Sequence, residues 1–98
     1  MLEIGWGEGG AVVLRGRFDA SYEDAVSAFL GQVAGRVDVD MRALECISSA
    51  GLGALLAAQK RLAAAGGGLR LVGVNPHIRE LLRFSGFDRI FEVEAAAG

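Results

Sequence analysis

The stretch Ile47-Ser48-Ser49-Ala50-Gly51-Leu52-Gly53 opens a helical pattern that continues to Ala65. Four leucines recur at helical spacing along it and predict one buried face: Leu52, Leu55, Leu56 and Leu62. Two glycines stand inside the first turns, where each costs up to about 1 kcal/mol relative to alanine. Another interaction must therefore offset the cost of these glycines.

Two explanations for the glycines remain open at the level of local chemistry. In the first, the missing side chains let the start of the helix pack closely against a strand, and Ser48 or Ser49 is an ordinary N-cap. In the second, small neighbours leave a serine hydroxyl accessible to a kinase, and the positive end of the helix dipole tolerates the phosphate.

On the N-terminal side of this stretch, residues 11–16 predict a buried strand and residues 2–6 an edge strand that pairs with it. The glycine-rich residues 7–10 supply a hairpin turn. Asp19 or Ser21 then caps a helix that ends at Gly35. A period-two alternation predicts a strand over residues 36–41. The apolar positions of the helix are Ala25, Val26, Phe29, Leu30 and Val33.

On the C-terminal side, three glycines at 66–68 stop the helix and residues 69–74 predict a strand. Asn75 as N-cap and Pro76 at the first helical position mark a helix that runs to Ser85 and ends at Gly86. Residues 90–93 predict a last strand, followed by a frayed tail over 95–98. Strands that alternate with helices after a hairpin indicate an α/β fold with a mixed sheet, as one domain over residues 1–98.

Composition excludes several classes of function. The chain has 98 residues, of which 52% are apolar and 22% charged, and a formal net charge of −2. This balance disfavours a disordered acidic segment and nonspecific nucleic-acid binding. No apolar run reaches the roughly 20 residues of a bilayer span, and no secretory signal is visible, so we expect a cytoplasmic location. The lone Cys46 is expected to be a packing residue.

Five ordered segments together resemble the sulfate-transporter and anti-sigma-factor-antagonist family, known as STAS. They cover nearly the whole chain: residues 14–19, the strand ending at Asp40, residues 47–53, residues 69–72 with Asn75-Pro76, and residues 86–91. The resemblance implies a four- or five-stranded mixed sheet packed with helices. It also implies that a bacterial single-domain member binds an anti-sigma factor that is also a serine kinase.

The resemblance makes Ser49 the phospho-acceptor, since the family's phosphorylated serine precedes a small residue and Gly-Leu-Gly. Many antagonists have an aspartate immediately before this serine, where this chain has Ser48. Asp19 and Asp40 match acidic positions near the site, and each is read either as a structural residue or as a partner contact. The expected partner-binding residues are Asp19, Ser21, Ser48, Ser49, Gly51 and Leu52.

The function implied is that of an anti-sigma factor antagonist, which binds the kinase when unphosphorylated and releases it once Ser49 is phosphorylated. A phosphatase would reverse the modification. No cofactor, metal, nucleic acid or direct membrane contact is expected, and the domain is a kinase substrate, not an enzyme. The alternative is a STAS accessory subunit of a lipid-transport ABC complex. A hydrolase is disfavoured because no Gly-x-Ser-x-Gly elbow is present and His77 is expected to be a solvated first-turn residue.

Overall fold

An antiparallel hairpin opens the fold in the computed structural model, which describes residues 1–97. Strand β1 (Leu2–Trp6) pairs with strand β2 (Val12–Phe18), and the turn between them contains Gly9 and Gly10 at φ of 67° and 79°. Left-handed φ values of this kind cost glycine little, so the glycine-rich turn forms as predicted.

Three further strands extend this hairpin into a five-stranded mixed sheet. Strands β3 (Arg36–Ile47), β4 (Gly68–Val74) and β5 (Glu92–Ala95) follow β2 in parallel, and the spatial order is β1-β2-β3-β4-β5. The predicted α/β class and mixed sheet are therefore confirmed.

The parallel strands are linked by helices α1 (Glu23–Leu30), α2 (Ser49–Ala64) and α3 (Pro76–Ser85). Alternate strand residues such as Val39 and Leu71 are fully buried in the core. The intervening residues form a charged face that includes ion pairs between Arg70 and Glu94 and between Arg36 and Glu92. Within residues 1–97, every helix is too short or too polar to span a bilayer.

Helix α1 ends earlier than predicted, at Leu30 and not at Gly35. The guanidinium of Arg61 in α2 donates hydrogen bonds to the carbonyl oxygens of Leu30 and Val33, at 2.8 and 2.9 Å. Carbonyl groups at a helix end lack partners within the helix, so this long-range contact stabilises the early end. Ala25, predicted to lie on the buried face of α1, is exposed.

Strand β3 is twice as long as predicted, because it continues from residue 41 to Ile47. The period-two pattern breaks at Arg42 and Ala43, which are both exposed, and burial resumes at Leu44. Its register against β2 shifts in the same region. An irregularity of this kind keeps the strand paired while interrupting the alternation that the sequence displays.

Strand β5 lies two residues later than predicted. A 3-10 turn, Phe87–Arg89, follows Gly86, and the N–H of Phe91 donates to the carbonyl oxygen of Phe87, so the chain is still turning at residue 91. The prediction that the chain frays from residue 95 is wrong for residues 95 and 96. Ala95 belongs to β5, and the N–H of Ala96 donates to the carbonyl oxygen of Val74 at 2.9 Å. Residue 98 lies outside the described residues.

Candidate functional site

The predicted site residues gather where β2 and β3 end. These two strands are parallel, and their last residues, Phe18 and Ile47, are register partners. The N–H of Ser48 then donates to the carbonyl oxygen of Phe18 at 2.8 Å. Asp19 and Ser48, each the first residue after its strand, therefore lie side by side at the carboxyl edge of the sheet, where α/β folds commonly place their binding sites.

Ser48 is the N-cap of α2. Its hydroxyl oxygen accepts a hydrogen bond from the backbone N–H of Gly51 at 3.1 Å, and its backbone is extended with ψ of 167°. The side chain is half-buried. The capping interpretation is confirmed for Ser48, whose hydroxyl is thereby engaged in holding the first turn of the helix.

Ser49 is the first residue of α2 and is exposed. Within residues 1–97, its hydroxyl has no hydrogen-bond partner, in contrast to that of its neighbour Ser48. The first turn of α2 also contains no acidic side chain. Ser49 therefore presents a free hydroxyl to solvent at the positive end of a 16-residue helix.

Asp19 and Ser21 form a local turn beside this helix start. The Asp19 carboxylate accepts from the backbone N–H of Ser21 at 2.9 Å and from the Ser21 hydroxyl. These hydrogen bonds lower the pKa of the Asp19 carboxyl below its ordinary value. Asp19 caps the short 3-10 turn Ala20–Tyr22, and α1 itself begins after that turn. Both side chains are exposed, so their predicted partner contact remains a prediction.

Gly51 and Leu52 are buried, although we expected them among the partner-binding residues. A Cβ added at Gly51 would lie 2.8 Å from Cγ1 of Ile47 and 3.2 Å from two carbons of the Phe18 ring. The close-packing explanation is therefore confirmed for Gly51. Leu52 is 8% exposed and belongs to the core. Any effect of these two residues on binding would be exerted by holding α2 in place.

Gly53 is absent from the expected partner-binding residues. It is exposed, and a Cβ at this position would meet nothing within 4 Å. The signal was present in the sequence as a second costly glycine, but only the structure separates it from Gly51.

Asp40 is not part of this site. It lies within β3, and its carboxylate accepts from the backbone N–H of Arg42 at 3.0 Å. Ile47 lies seven positions further along the extended strand, a span of roughly 23 Å at 3.3 Å per residue. The expectation that Asp40 lies near Ser49 is wrong because β3 continues past the predicted end.

His77 and Cys46 lie on other elements than Ser49. His77 is exposed in the first turn of α3, as predicted, and Cys46 is half-buried near the end of β3. Among residues 1–97, no three His, Cys, Asp or Glu side chains are grouped to hold a metal ion. A cleft of about 750 Å³ between α3 and β5 contains none of the predicted site residues.

Comparison with known proteins assigns this chain to a family. A family model described as "Mlab, STAS domain" matches residues 6–93. The chain belongs to the STAS domain family. Its similarity to the candidate anti-sigma factor antagonist BtrV of Bordetella bronchiseptica is 46% identity over 66 residues, which span 63% of this chain and 57% of that protein.

Solved structures of other proteins show the same fold at low sequence identity. A candidate anti-sigma factor antagonist from Thermotoga maritima superposes with a TM-score of 0.79 at 18% identity, over 98% of this chain and 87% of that one. The Bacillus cell fate determinant SpoIIAA, in its phosphorylated form, gives a TM-score of 0.69 at 22% identity, over 100% of this chain and 92% of that one.

Proposed function

We propose that this chain is a cytoplasmic anti-sigma factor antagonist whose unphosphorylated form binds an anti-sigma factor that is also a serine kinase. Phosphorylation of Ser49 then releases the partner. The observation that carries the proposal is the contrast between adjacent serines: the Ser48 hydroxyl is used in the helix cap, whereas the Ser49 hydroxyl is exposed and free. The name of BtrV and the phosphorylated form of SpoIIAA agree with it.

In the proposed reaction this chain is the substrate. The Ser49 oxygen forms a bond to the γ-phosphorus of ATP, the bond between that phosphorus and the β–γ bridging oxygen breaks, and ADP leaves. The hydroxyl proton passes to a base of the kinase. The chain supplies the accepting hydroxyl and no catalytic group, so we propose no enzymatic activity for it. A phosphatase returns the domain to its binding form by hydrolysis.

Release follows from the different surroundings of the phosphate in the free and bound states. In the free domain the phosphate adds about −1.5 to −2 charge near the start of α2, where an anion gains roughly 0.3–1 kcal/mol. In a close interface the same group loses its water and lacks a paired cation, which costs several kcal/mol. A loss of about 3 kcal/mol weakens binding by more than about 100-fold.

The test uses the purified chain, ATP and a candidate serine kinase with a histidine-kinase-like ATPase fold, sought among the genes adjacent to that of this chain. Intact-mass spectrometry should show one added phosphate on the wild type and on Ser48→Ala, the matched control, and none on Ser49→Ala. Calorimetric titration should show at least about 100-fold weaker kinase binding after phosphorylation, with a melting curve that remains cooperative. Phosphate on Ser49→Ala, or equal affinities of the two forms, contradicts the proposal.

The rival function, an accessory subunit of a lipid-transport ABC complex, needs no phosphorylation. It predicts that wild type and Ser49→Ala bind a transporter ATPase subunit with equal affinity. The rival also predicts that the kinase neither binds nor modifies the chain. This pair of results would replace the antagonist proposal with the transporter one.

A further inference from the structure

Gly53 has no explanation in the folding of this chain. It lies inside α2, is exposed, and has open space where a Cβ would be. Alanine would fit there and would favour the helix, because glycine is the less stable of the two in a helix interior. Gly51, two residues earlier, is different, since the Phe18 ring and Ile47 fill the space that its side chain would need.

The position of Gly53 relative to Ser49 supplies the explanation that folding does not. Residues four apart in a helix lie on one face, with Cβ positions about 5–6 Å apart. Each Cα–Cβ bond tilts toward the helix N-terminus, so a side chain at position 53 would lean over the turn that carries Ser49. Ala57, one turn further along, is also small and exposed.

Phosphoryl transfer to Ser49 demands close approach of the partner. The serine hydroxyl stands only one carbon beyond the backbone, and transfer requires it in line with the γ-phosphorus. The kinase surface around that phosphate must therefore come close to the backbone of α2. A longer side chain on the next turn of the same face would meet that surface first.

We propose that Gly53 is a specificity-determining contact, at which the missing side chain lets the active-site rim of the serine kinase reach the Ser49 hydroxyl. This inference rests on the proposed function and adds a contact position to it. The missing side chain at Gly53 lowers the stability of the free domain. In return, it leaves a bare helix face for the partner.

The experiment pairs two substitutions that place the same side chain on the same helix face. Gly53→Leu lies one turn from Ser49, whereas the control, Ala64→Leu, is also exposed and lies about 16 Å further along α2. Affinity for the purified kinase is measured by calorimetry with a non-hydrolysable ATP analogue, and phosphate incorporation is followed by intact mass. Gly53→Leu should bind at least about 30-fold more weakly and gain phosphate more slowly, while Ala64→Leu stays within about twofold of wild type.

Gly53→Ala supplies a second test, in which stability should rise while the rate of phosphorylation falls. Its melting temperature should rise by about 4–8 °C, since alanine favours the helix by up to about 1 kcal/mol, while its phosphorylation slows. The inference is overturned when wild type binds the kinase and Gly53→Leu binds within twofold of it. When wild type itself neither binds nor gains phosphate, the proposed function fails and this inference fails with it.

Discussion

The first turns of α2 and α3 follow one plan. Each helix begins after a parallel strand, and in each the cap side chain accepts from the N–H of the third helical residue, at 3.1 Å for Ser48 and Gly51 and at 2.9 Å for Asn75 and Ile78. The third residue is buried in both. The two helix starts therefore differ in their residues and hardly at all in their backbone plan.

Their residues differ in what they contribute to folding. Helix α3 starts with Pro76, fills the core with Ile78, and carries on its exposed face Glu80, whose carboxylate pairs with Arg83 at 2.8 Å. The equivalent positions of α2 are Ser49, Gly51 and Gly53. Helix α2 thus gives up helix propensity and surface ion pairing, and gains an accessible hydroxyl on a bare face.

The largest expected effects are at the third helical position, where α3 has the large side chain of Ile78 and α2 has a glycine, Gly51. Ile78→Ala should cost about 2–5 kcal/mol, because Ile78 is fully buried and its removal leaves a cavity. Gly51→Val should cost about 1–3 kcal/mol, because the added carbons meet the Phe18 ring and Ile47. Urea denaturation measures both values. A Gly51→Val protein as stable as wild type would show that the close approach has no energetic role.

The caps should differ by a smaller amount. Ser48→Ala removes one capping bond and should cost about 1 kcal/mol, whereas Asn75→Ala should approach about 2 kcal/mol. The reason is that the Asn75 amide also donates to the carbonyl oxygen of Leu44 at 2.9 Å, tying α3 to β3. Asn75→Ser keeps the cap oxygen and loses the amide hydrogen bond to Leu44. Its loss of stability should therefore be smaller than that of Asn75→Ala. A larger loss for Ser48→Ala than for Asn75→Ala in the same urea titration would reverse the comparison.

The smallest effect should be the acid dependence of the turn beside α2. Folding lowers the pKa of Asp19, so its contribution stabilises the fold above the unfolded pKa and is lost as pH falls through the folded value, below about pH 4. Because Asp19 is exposed, the effect is small. The melting temperature of wild type should exceed that of Asp19→Asn slightly at pH 6 and equal it near pH 2. A difference that grows on acidification would contradict this assignment.

Local signals in the sequence predicted the parts of the fold that local energetics control. Asn75, Pro76 and Gly86 bound α3 as predicted, and Gly86 adopts the left-handed conformation, with φ of 78°, that a helix end favours. The hairpin turn and the start of α2 were also predicted. The choice of Ser49 as the candidate phospho-acceptor followed from the resemblance to STAS proteins, whose motif is visible along the chain.

Long-range contacts decided what sequence reasoning missed. The end of α1 depends on Arg61, about 30 residues away, and the continuation of β3 depends on its pairing with β2 across an irregular register. A local pattern contains neither contact. The misplacement of Asp40 near Ser49 follows directly from the missed half of β3.

By itself, the sequence determined the family, the order of strands and helices, and the choice of Ser49 as the candidate phospho-acceptor. Only the tertiary structure assigned different roles to neighbours of the same type: Ser48 as cap and Ser49 as free hydroxyl, Gly51 as packed and Gly53 as bare. The physical reason is that a residue's type sets what it can do locally, whereas its burial is set by distant groups such as Phe18, which reach it only when the chain has folded.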